Sequence, residues 1–90
     1  MLAFFNYMSY IVYIIYSAKL DRYYVGYTAG SMENRLKKHN ANHKGFTGKN
    51  VDWVVKYIEV FTTKEDAMRR EKQIKSWKSR IKIKQLISSE

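Results

Sequence analysis

The sequence contains no cysteine, no proline and only 4 glycines in 90 residues. Without cysteine the chain has neither a disulfide framework nor a zinc site built on thiolates, which suits a reducing compartment, and we expect a cytoplasmic protein. No repeat, low-complexity segment or linker interrupts the chain, whose length allows one modest hydrophobic core. The sequence therefore predicts a single small domain.

Acidic residues are also scarce. The chain has 8 Asp and Glu against 17 Lys and Arg, a formal net charge of +9. This excess bears on partners rather than on fold, and it favours a polyanion such as DNA. The alternative is a cationic surface that is simply solvated.

The first 18 residues carry no charge, and this length lies near the lower limit for a membrane-spanning helix. The run contains asparagine, serines and tyrosines, it lacks a basic flank, and its second half is rich in β-branched and aromatic residues. These features favour a buried strand, so we expect no stable membrane association. Met8 is an alternative start, so we treat residues 1–8 as an N-terminal extension and 9–88 as the domain.

Hydrophobic periodicity and turn residues predict three strands and three helices. The strands cover about 10–16, 23–27 and 51–61, and the helices about 32–40, 63–77 and 79–87. Ser31 is expected to cap the first helix, and Thr62 or Thr63 the second. In the third strand we expect Trp53, Val55 and Tyr57 on one face and the alternating residues on the other. The order ββαβαα predicts an α+β fold with a three-stranded, mainly antiparallel sheet flanked by helices.

The first two strands are expected to form a hairpin with a turn over residues 18–21. In that register Tyr13 lies opposite Gly26 and Tyr24 opposite Ile15, so the two tyrosines are diagonal neighbours on one face. Gly26 would leave open space over the sheet beside them. The alternative is that both tyrosines are ordinary core residues.

Two predicted helices carry charged or titratable residues on the stripe that should face the sheet. The stripe of the first helix consists of Met32, Arg35, Leu36 and His39. In the second helix Glu71 lies between Ala67 and Ile74. We expect the charged groups and the tyrosines to point toward one sheet face. A buried carboxylate needs a cation or a metal ion as partner, since an unpaired buried charge is strongly destabilising.

A single carboxylate suits a weakly held Mg²⁺ (or Mn²⁺), which keeps most of its waters and takes phosphate oxygens of a substrate as ligands. Together with an arginine and phenolic hydroxyls, it suits phosphodiester hydrolysis, in which cations stabilise the developing charge and a deprotonated group activates water. The alternative is a structural Arg35–Glu71 ion pair without chemistry.

The spacing of two short motifs is familiar: Ile11-Val12-Tyr13 and, after ten residues, Tyr24-Val25-Gly26. With an arginine on the first helix and a glutamate on the second, this pattern resembles the GIY-YIG endonuclease superfamily. It looks closest to the small single-domain members, similar to the incision domain of bacterial nucleotide excision repair. The resemblance covers about residues 10–87 and implies a metal-dependent DNA endonuclease.

The resemblance implies roles for five residues. Tyr13 would orient water or a neighbouring tyrosine, and Tyr24 would help to activate the nucleophile. Arg35 would contact the scissile phosphate, Glu71 would hold the single divalent metal, and His39 matches a position where some branches place a candidate general base.

The chain also departs from the family pattern. The glycine of the first motif is replaced, and Tyr27 stands where the repair nuclease has a lysine. The late asparagine that contacts phosphate has no clear counterpart, and Lys78 or Arg80 would substitute for it electrostatically. The loop His43–Lys49, with its cations and glycines, suits phosphate contact. The expected nucleic-acid-binding residues are Lys37, Lys38, Lys44, Lys49, Lys75, Lys78 and Arg80.

Two functions remain open from the sequence. The first is an endonuclease that follows DNA structure rather than base sequence, because the chain leaves no room for a second, sequence-reading domain. The second is a nucleic-acid-binding module on the same scaffold that cuts little or not at all.

Overall fold

The computed structural model describes residues 9–41 and 52–89, which hold three strands and three helices. In chain order these are β1 (Tyr10–Ser17), β2 (Arg22–Thr28), α1 (Met32–Asn40), β3 (Trp53–Phe61), α2 (Lys64–Ser76) and α3 (Arg80–Ser88). The predicted order ββαβαα is confirmed. Residues 1–8 and the loop 43–49, with Lys44 and Lys49, lie outside the described residues.

The sheet has the strand order β2-β1-β3, and both strand pairs are antiparallel. The predicted α+β fold is therefore confirmed. The hairpin has the predicted register, with Tyr13 opposite Gly26 and Ile15 opposite Tyr24. The described part of the uncharged N-terminal run forms β1, and no helix in the described ranges is long and apolar enough to cross a membrane.

Each helix begins directly after a hydroxyl residue that caps it. Ser31, Thr63 and Ser79 have extended backbones, and each side chain accepts a hydrogen bond from the backbone N–H three residues further on. These bonds satisfy a donor that the first helical turn leaves without a partner. Of the two caps considered for α2, the structure has Thr63.

The strand β3 differs from the prediction at Lys56. This residue is an extra one in the pairing with β1, between the partners of Ile14 and Ile15. Because side chains alternate along a strand, one extra residue reverses the alternation. Trp53 and Tyr57 consequently belong to two different core clusters. The prediction that they share a face is wrong for this reason. The alternating residues that were predicted to share the other face are likewise split between the two faces at Lys56.

The sheet buries side chains on both of its faces, which we name after alternating residues of β1. On the Val12 face the buried core consists of Val12, Ile14, Val25, Tyr57, Ala67 and Ile74, with Ile83, Leu86 and Ile87 of α3 packed against it. On the Tyr13 face it consists of Tyr13, Ile15 and Trp53, with Met32 and Leu36 of α1 packed against it. The helices α1 and α2 therefore lie on opposite sides of the sheet.

A polar network on the Val12 face joins β3 to α2. The Arg70 guanidinium donates two hydrogen bonds of 2.9 Å to the Glu59 carboxylate, which also accepts a bond from the Tyr57 hydroxyl. Burial and the bond to Glu59 raise the pKa of Tyr57 to about 12. Burial acts to raise the pKa of Glu59, but the bonds from Arg70 and Tyr57 outweigh it and lower that pKa below its ordinary value. Glu59 thus stays charged at neutral pH and acts as a structural carboxylate.

Candidate active site

The last turn of α1 is attached to the sheet by Asn40. Its side-chain oxygen accepts a hydrogen bond from the backbone N–H of Trp53 (2.8 Å), and its amide nitrogen donates to the carbonyl of the same residue (3.1 Å). This double contact fixes the preceding residue, His39, over the Tyr13 face, where it is only 8% exposed.

The Tyr13 hydroxyl lies 2.8 Å from Nε2 of His39, in a buried hydrogen bond. Burial raises the pKa of Tyr13 above its ordinary value; the charge of Arg35 acts in the opposite direction, and Tyr24 and Glu71 raise the pKa further. Tyr13 is therefore protonated at neutral pH. It suits a donor or positioning role and not the role of a phenolate base.

Gly26 lies directly under the Tyr13 side chain. A Cβ at this position would come within 2.6 Å of the Tyr13 hydroxyl oxygen and 3.2 Å of the Tyr24 ring. The predicted open space beside the tyrosines is therefore wrong, because the Tyr13 phenol itself fills it. Only glycine permits this close approach.

Tyr24 completes an aromatic cluster on the Tyr13 face. The centroid of its ring lies 6.5 Å from that of Tyr13, 5.0 Å from that of His39 and 6.4 Å from that of Trp53. The prediction that the two tyrosines are neighbours on one face is confirmed. Tyr24 is partly exposed, whereas Tyr13 is buried, so Tyr24 is the phenol that a substrate can reach more readily.

Glu71 reaches this cluster from the helix on the other side of the sheet. Ala67 and Ile74 of α2 pack on the Val12 face, yet the Glu71 charge acts on Tyr13 and the neighbouring Lys75 lies over the Tyr24 ring. Because β2 is an edge strand, long side chains can pass it. The charged groups and the tyrosines were expected to point toward one sheet face; because α2 packs on the Val12 face, its charged residues instead approach the cluster around this edge.

The partner of Glu71 is Lys75, with 2.9 Å between its Nζ and the carboxylate. The Glu71 side chain is 16% exposed and that of Lys75 is 48% exposed. The Lys75 ammonium group also lies 5.7 Å from the centre of the Tyr24 ring. Within the described residues Arg35 forms no ion pair, so the structural Arg35–Glu71 pair considered from the sequence is wrong.

The other cations expected to bind nucleic acid differ in their surroundings. Lys37 and Lys38 are exposed on α1. Arg80 instead binds the Asp21 side chain and donates a bond of 2.9 Å to its carbonyl, and its guanidinium lies over the Tyr23 ring. It therefore fastens α3 to the hairpin turn. Lys78 lies beside it, in the left-handed backbone conformation (φ 47°).

Two clefts that the sequence did not reveal flank Arg35. The larger has a volume of about 510 Å³ and is lined by Tyr10, Tyr27, Thr28, Ala29, Arg35 and Lys64. The smaller, of about 280 Å³, is lined by Thr28, Ala29, Gly30, Ser31, Asn34, Arg35 and Lys38. Sequence reasoning missed Lys64 and Tyr10, although the seven-residue spacing of Lys64 and Glu71 places them on one side of α2.

Among the described residues, few side chains near the cluster could donate to a metal ion. No group of three or more His, Cys, Asp or Glu side chains lies close together in the ranges 9–41 and 52–89. Glu71 provides the carboxylate, beside the phenols of the aromatic cluster. This set does not suit a tightly held metal, but it fits Mg²⁺ that keeps waters and gains further ligands from a substrate phosphate.

A small α+β domain with tyrosines on two paired strands, an arginine on one helix and a glutamate on another has the arrangement of a nuclease-type catalytic domain. Residues 9–85 match the family model of the GIY-YIG catalytic domain. The chain therefore belongs to the GIY-YIG family, a family of nucleases that act on nucleic acid, as the two motifs predicted.

Two relatives match most of the chain. It is 39% identical to UPF0213 protein SH2523 of Staphylococcus haemolyticus over an alignment of 77 residues, which covers 83% of this chain and 90% of that protein. The solution NMR structure of UPF0213 protein BH0048 from Bacillus halodurans is similar, with a TM-score of 0.57 and 30% sequence identity, covering 92% of this chain and 86% of that one. The predicted resemblance to small members of the superfamily is thus confirmed.

Proposed function

We propose that this protein is a divalent-metal-dependent endonuclease that hydrolyses phosphodiester bonds in DNA and is directed by DNA structure rather than by base sequence. The observation that carries the proposal is the cluster of Tyr13, His39 and Tyr24, with Arg35 on the same helix as His39 and with the Glu71–Lys75 ion pair beside the Tyr24 ring. We place this activity in the cytoplasm.

In this proposal Arg35 and Glu71 handle the phosphate. Arg35, which forms no ion pair among the described residues, contacts the scissile group and stabilises the charge that develops there. Glu71 holds Mg²⁺ or Mn²⁺, which supplies Lewis-acid stabilisation when bound. Lys75 balances the charge of Glu71 in the free protein, and its ammonium group can turn to a phosphate when substrate arrives.

The aromatic cluster prepares the attacking water. Tyr24, as the phenolate, would accept a proton from it, and of the two phenols it is the one that a substrate can reach more readily. Tyr13 orients the water through its hydroxyl, whose position is set by the hydrogen bond to His39 and by close packing over Gly26. His39 is the second candidate for the base.

Structure-directed recognition follows from how the chain would contact DNA. The net charge of +9 and the exposed Lys37 and Lys38 favour phosphates, which carry no sequence information directly. Such contacts distinguish the path of the backbone, as at a flap, a nick or a single strand, more readily than the bases.

A nucleic-acid-binding module with little cleavage is the second candidate. The observation that favours it is the engagement of Arg80 by Asp21, since Arg80 was one of two substitutes for the asparagine missing from the family pattern. Lys78 is then the remaining candidate to contact phosphate in place of that asparagine.

Incubation with labelled branched, single-stranded and duplex DNA separates the two candidates. We expect cutting with Mg²⁺ or Mn²⁺, none with EDTA, and a preference among the three forms. Binding of all three without any cut under either metal would refute the endonuclease and support the binding module.

A further inference from the structure

The larger cleft beside Arg35, which we call the Lys64 cleft, has the chemistry of a nucleotide subsite. Its volume of about 510 Å³ lies within the range of pockets that hold small ligands. Its lining combines the cations Arg35 and Lys64 with the phenols Tyr10 and Tyr27 and contains no carboxylate. An anion that carries an aromatic ring matches this lining.

Arg35 connects the Lys64 cleft with the smaller cleft, because it lines both. A DNA strand with one phosphate at Arg35 would therefore have one cleft on each side of that phosphate. Lys64 stands in the larger cleft and Lys38 in the smaller. Each cleft has one lysine besides the shared arginine. This arrangement suits a DNA strand that passes through both clefts.

Lys64 and Glu71 would contact different positions along the DNA strand. The two residues are seven positions apart on α2, which corresponds to about 10 Å along the helix axis at a rise of about 1.5 Å per residue. Glu71 belongs to the group that handles the scissile phosphate, so Lys64 lies where the flanking nucleotide would pass.

The shape and lining of the cleft favour an unpaired nucleotide. A duplex presents its phosphates on its outside and keeps its bases stacked within, so its bases cannot contact the two phenols of this open cleft. An unpaired base can turn into such a space and stack on an aromatic ring, largely independently of its identity.

We infer that the Lys64 cleft binds one unpaired nucleotide of the cleaved strand, adjacent to the scissile phosphate, with Lys64 on its phosphate and Tyr10 or Tyr27 against its base. This inference rests on the proposed function and deepens it, because it makes DNA with a single-stranded segment at the cut the preferred substrate class. Lys64, Tyr10 and Tyr27 act as positioning residues.

Binding assays with Lys64→Ala test the phosphate contact. Fluorescence anisotropy in EDTA, which prevents cutting, gives the affinity for a hairpin duplex with a 5′ or a 3′ single-stranded tail and for the same duplex fully paired. We expect Lys64→Ala to weaken binding of one tailed form about tenfold and to lower its salt slope by about 0.7, the value for one phosphate contact with a single strand. Fully paired DNA should bind as it does to the matched control Lys82→Ala, an exposed lysine of α3.

A base analogue whose fluorescence is quenched by stacking, such as 2-aminopurine in the tail, tests the base contact. We expect quenching with the wild type and with Tyr27→Phe, and its loss when both Tyr10 and Tyr27 are replaced by leucine. Thermal melts identify a variant that fails to fold, in which case Lys64→Ala decides alone.

Equal effects of Lys64→Ala and Lys82→Ala on tailed DNA would overturn the inference, as would equal weakening by Lys64→Ala on tailed and paired DNA. A wild type that cuts DNA while these effects are missing would refute the subsite and leave the endonuclease standing. Tail-specific binding through Lys64 without any cutting would refute the endonuclease and leave the Lys64 cleft standing as a binding site for an unpaired nucleotide.

Discussion

Replacing Glu71 by glutamine removes the charge that we assign to metal binding and keeps the size of the side chain. Its ion pair with Lys75 spans one helical turn, and the lysine is 48% exposed. Exposed pairs of this spacing contribute about 0.3–0.5 kcal/mol, and removing a charge that is only 16% exposed relieves part of its desolvation. We therefore expect the free energy of unfolding to change by less than about 1 kcal/mol.

Cutting should fall by about a hundredfold or more in Glu71→Gln, because the metal-dependent stabilisation of the transition state is lost. DNA affinity should stay the same or rise, since the variant is more positive by one charge. Cleavage rates under Mg²⁺, anisotropy in EDTA and thermal melts on one preparation measure all three quantities.

Glu59→Gln is the matched control, because Glu59 is a carboxylate of similar exposure (22%) that is engaged by Arg70 on the Val12 face. Loss of its charged hydrogen bonds should cost about 1.5–3 kcal/mol of stability. Its cutting should fall only in proportion to the folded fraction. A Glu71→Gln protein that is destabilised as much as Glu59→Gln and still cuts when folded would refute the assignment of Glu71 to the metal.

Three further outcomes are expected. Tyr24→Phe should keep the melting temperature and DNA affinity and lose most cutting; if cutting persists in a rate assay, the base is another group, with His39 the next candidate. Gly26→Ala should lower stability by about 1–3 kcal/mol, the usual effect of overpacking, and reduce cutting, since its Cβ would displace the Tyr13 hydroxyl; an unchanged melt would show that Tyr13 moves freely. The lowered pKa of Glu59 means that its stabilisation is complete above the ordinary carboxyl pKa of 4.5 and is lost as the pH falls through the lowered value. The stability difference between wild type and Glu59→Gln, measured by denaturant titration, should therefore shrink as the pH is lowered below 4.5, and a constant difference would contradict this account.

Local rules were sufficient for the hairpin and the helix ends. The register that brings Tyr13 over Gly26 follows from the turn length together with the alternation of side chains along two adjacent strands. Ser31 caps α1, as predicted, through a bond to a residue only three positions away. The spacing of the two tyrosine motifs, followed by an arginine on the first helix and a glutamate on the second, likewise predicted the family.

The remaining features depend on groups that are distant in sequence. The extra residue Lys56 in β3 shows only in the pairing with β1, and it separates Trp53 from Tyr57 although their spacing predicts a common face. The hydrophobic periodicity of the second helix placed Glu71 between Ala67 and Ile74, but it did not show on which face of the sheet this helix packs. That α2 packs on the Val12 face and sends Glu71 past the β2 edge was decided by the packing of Ala67 and Ile74 against β1 and β2.

The amino-acid sequence thus determined which residue types stand where on each strand and helix, since caps, turns and alternation are set by near neighbours. Only the tertiary structure decided which of them meet. Glu71 pairs with Lys75 rather than with Arg35 because α1 and α2 approach from opposite sides of the sheet. The Lys64 cleft exists because Tyr10, Tyr27, Arg35 and Lys64, each from a different element, come together where β2 ends and α2 begins.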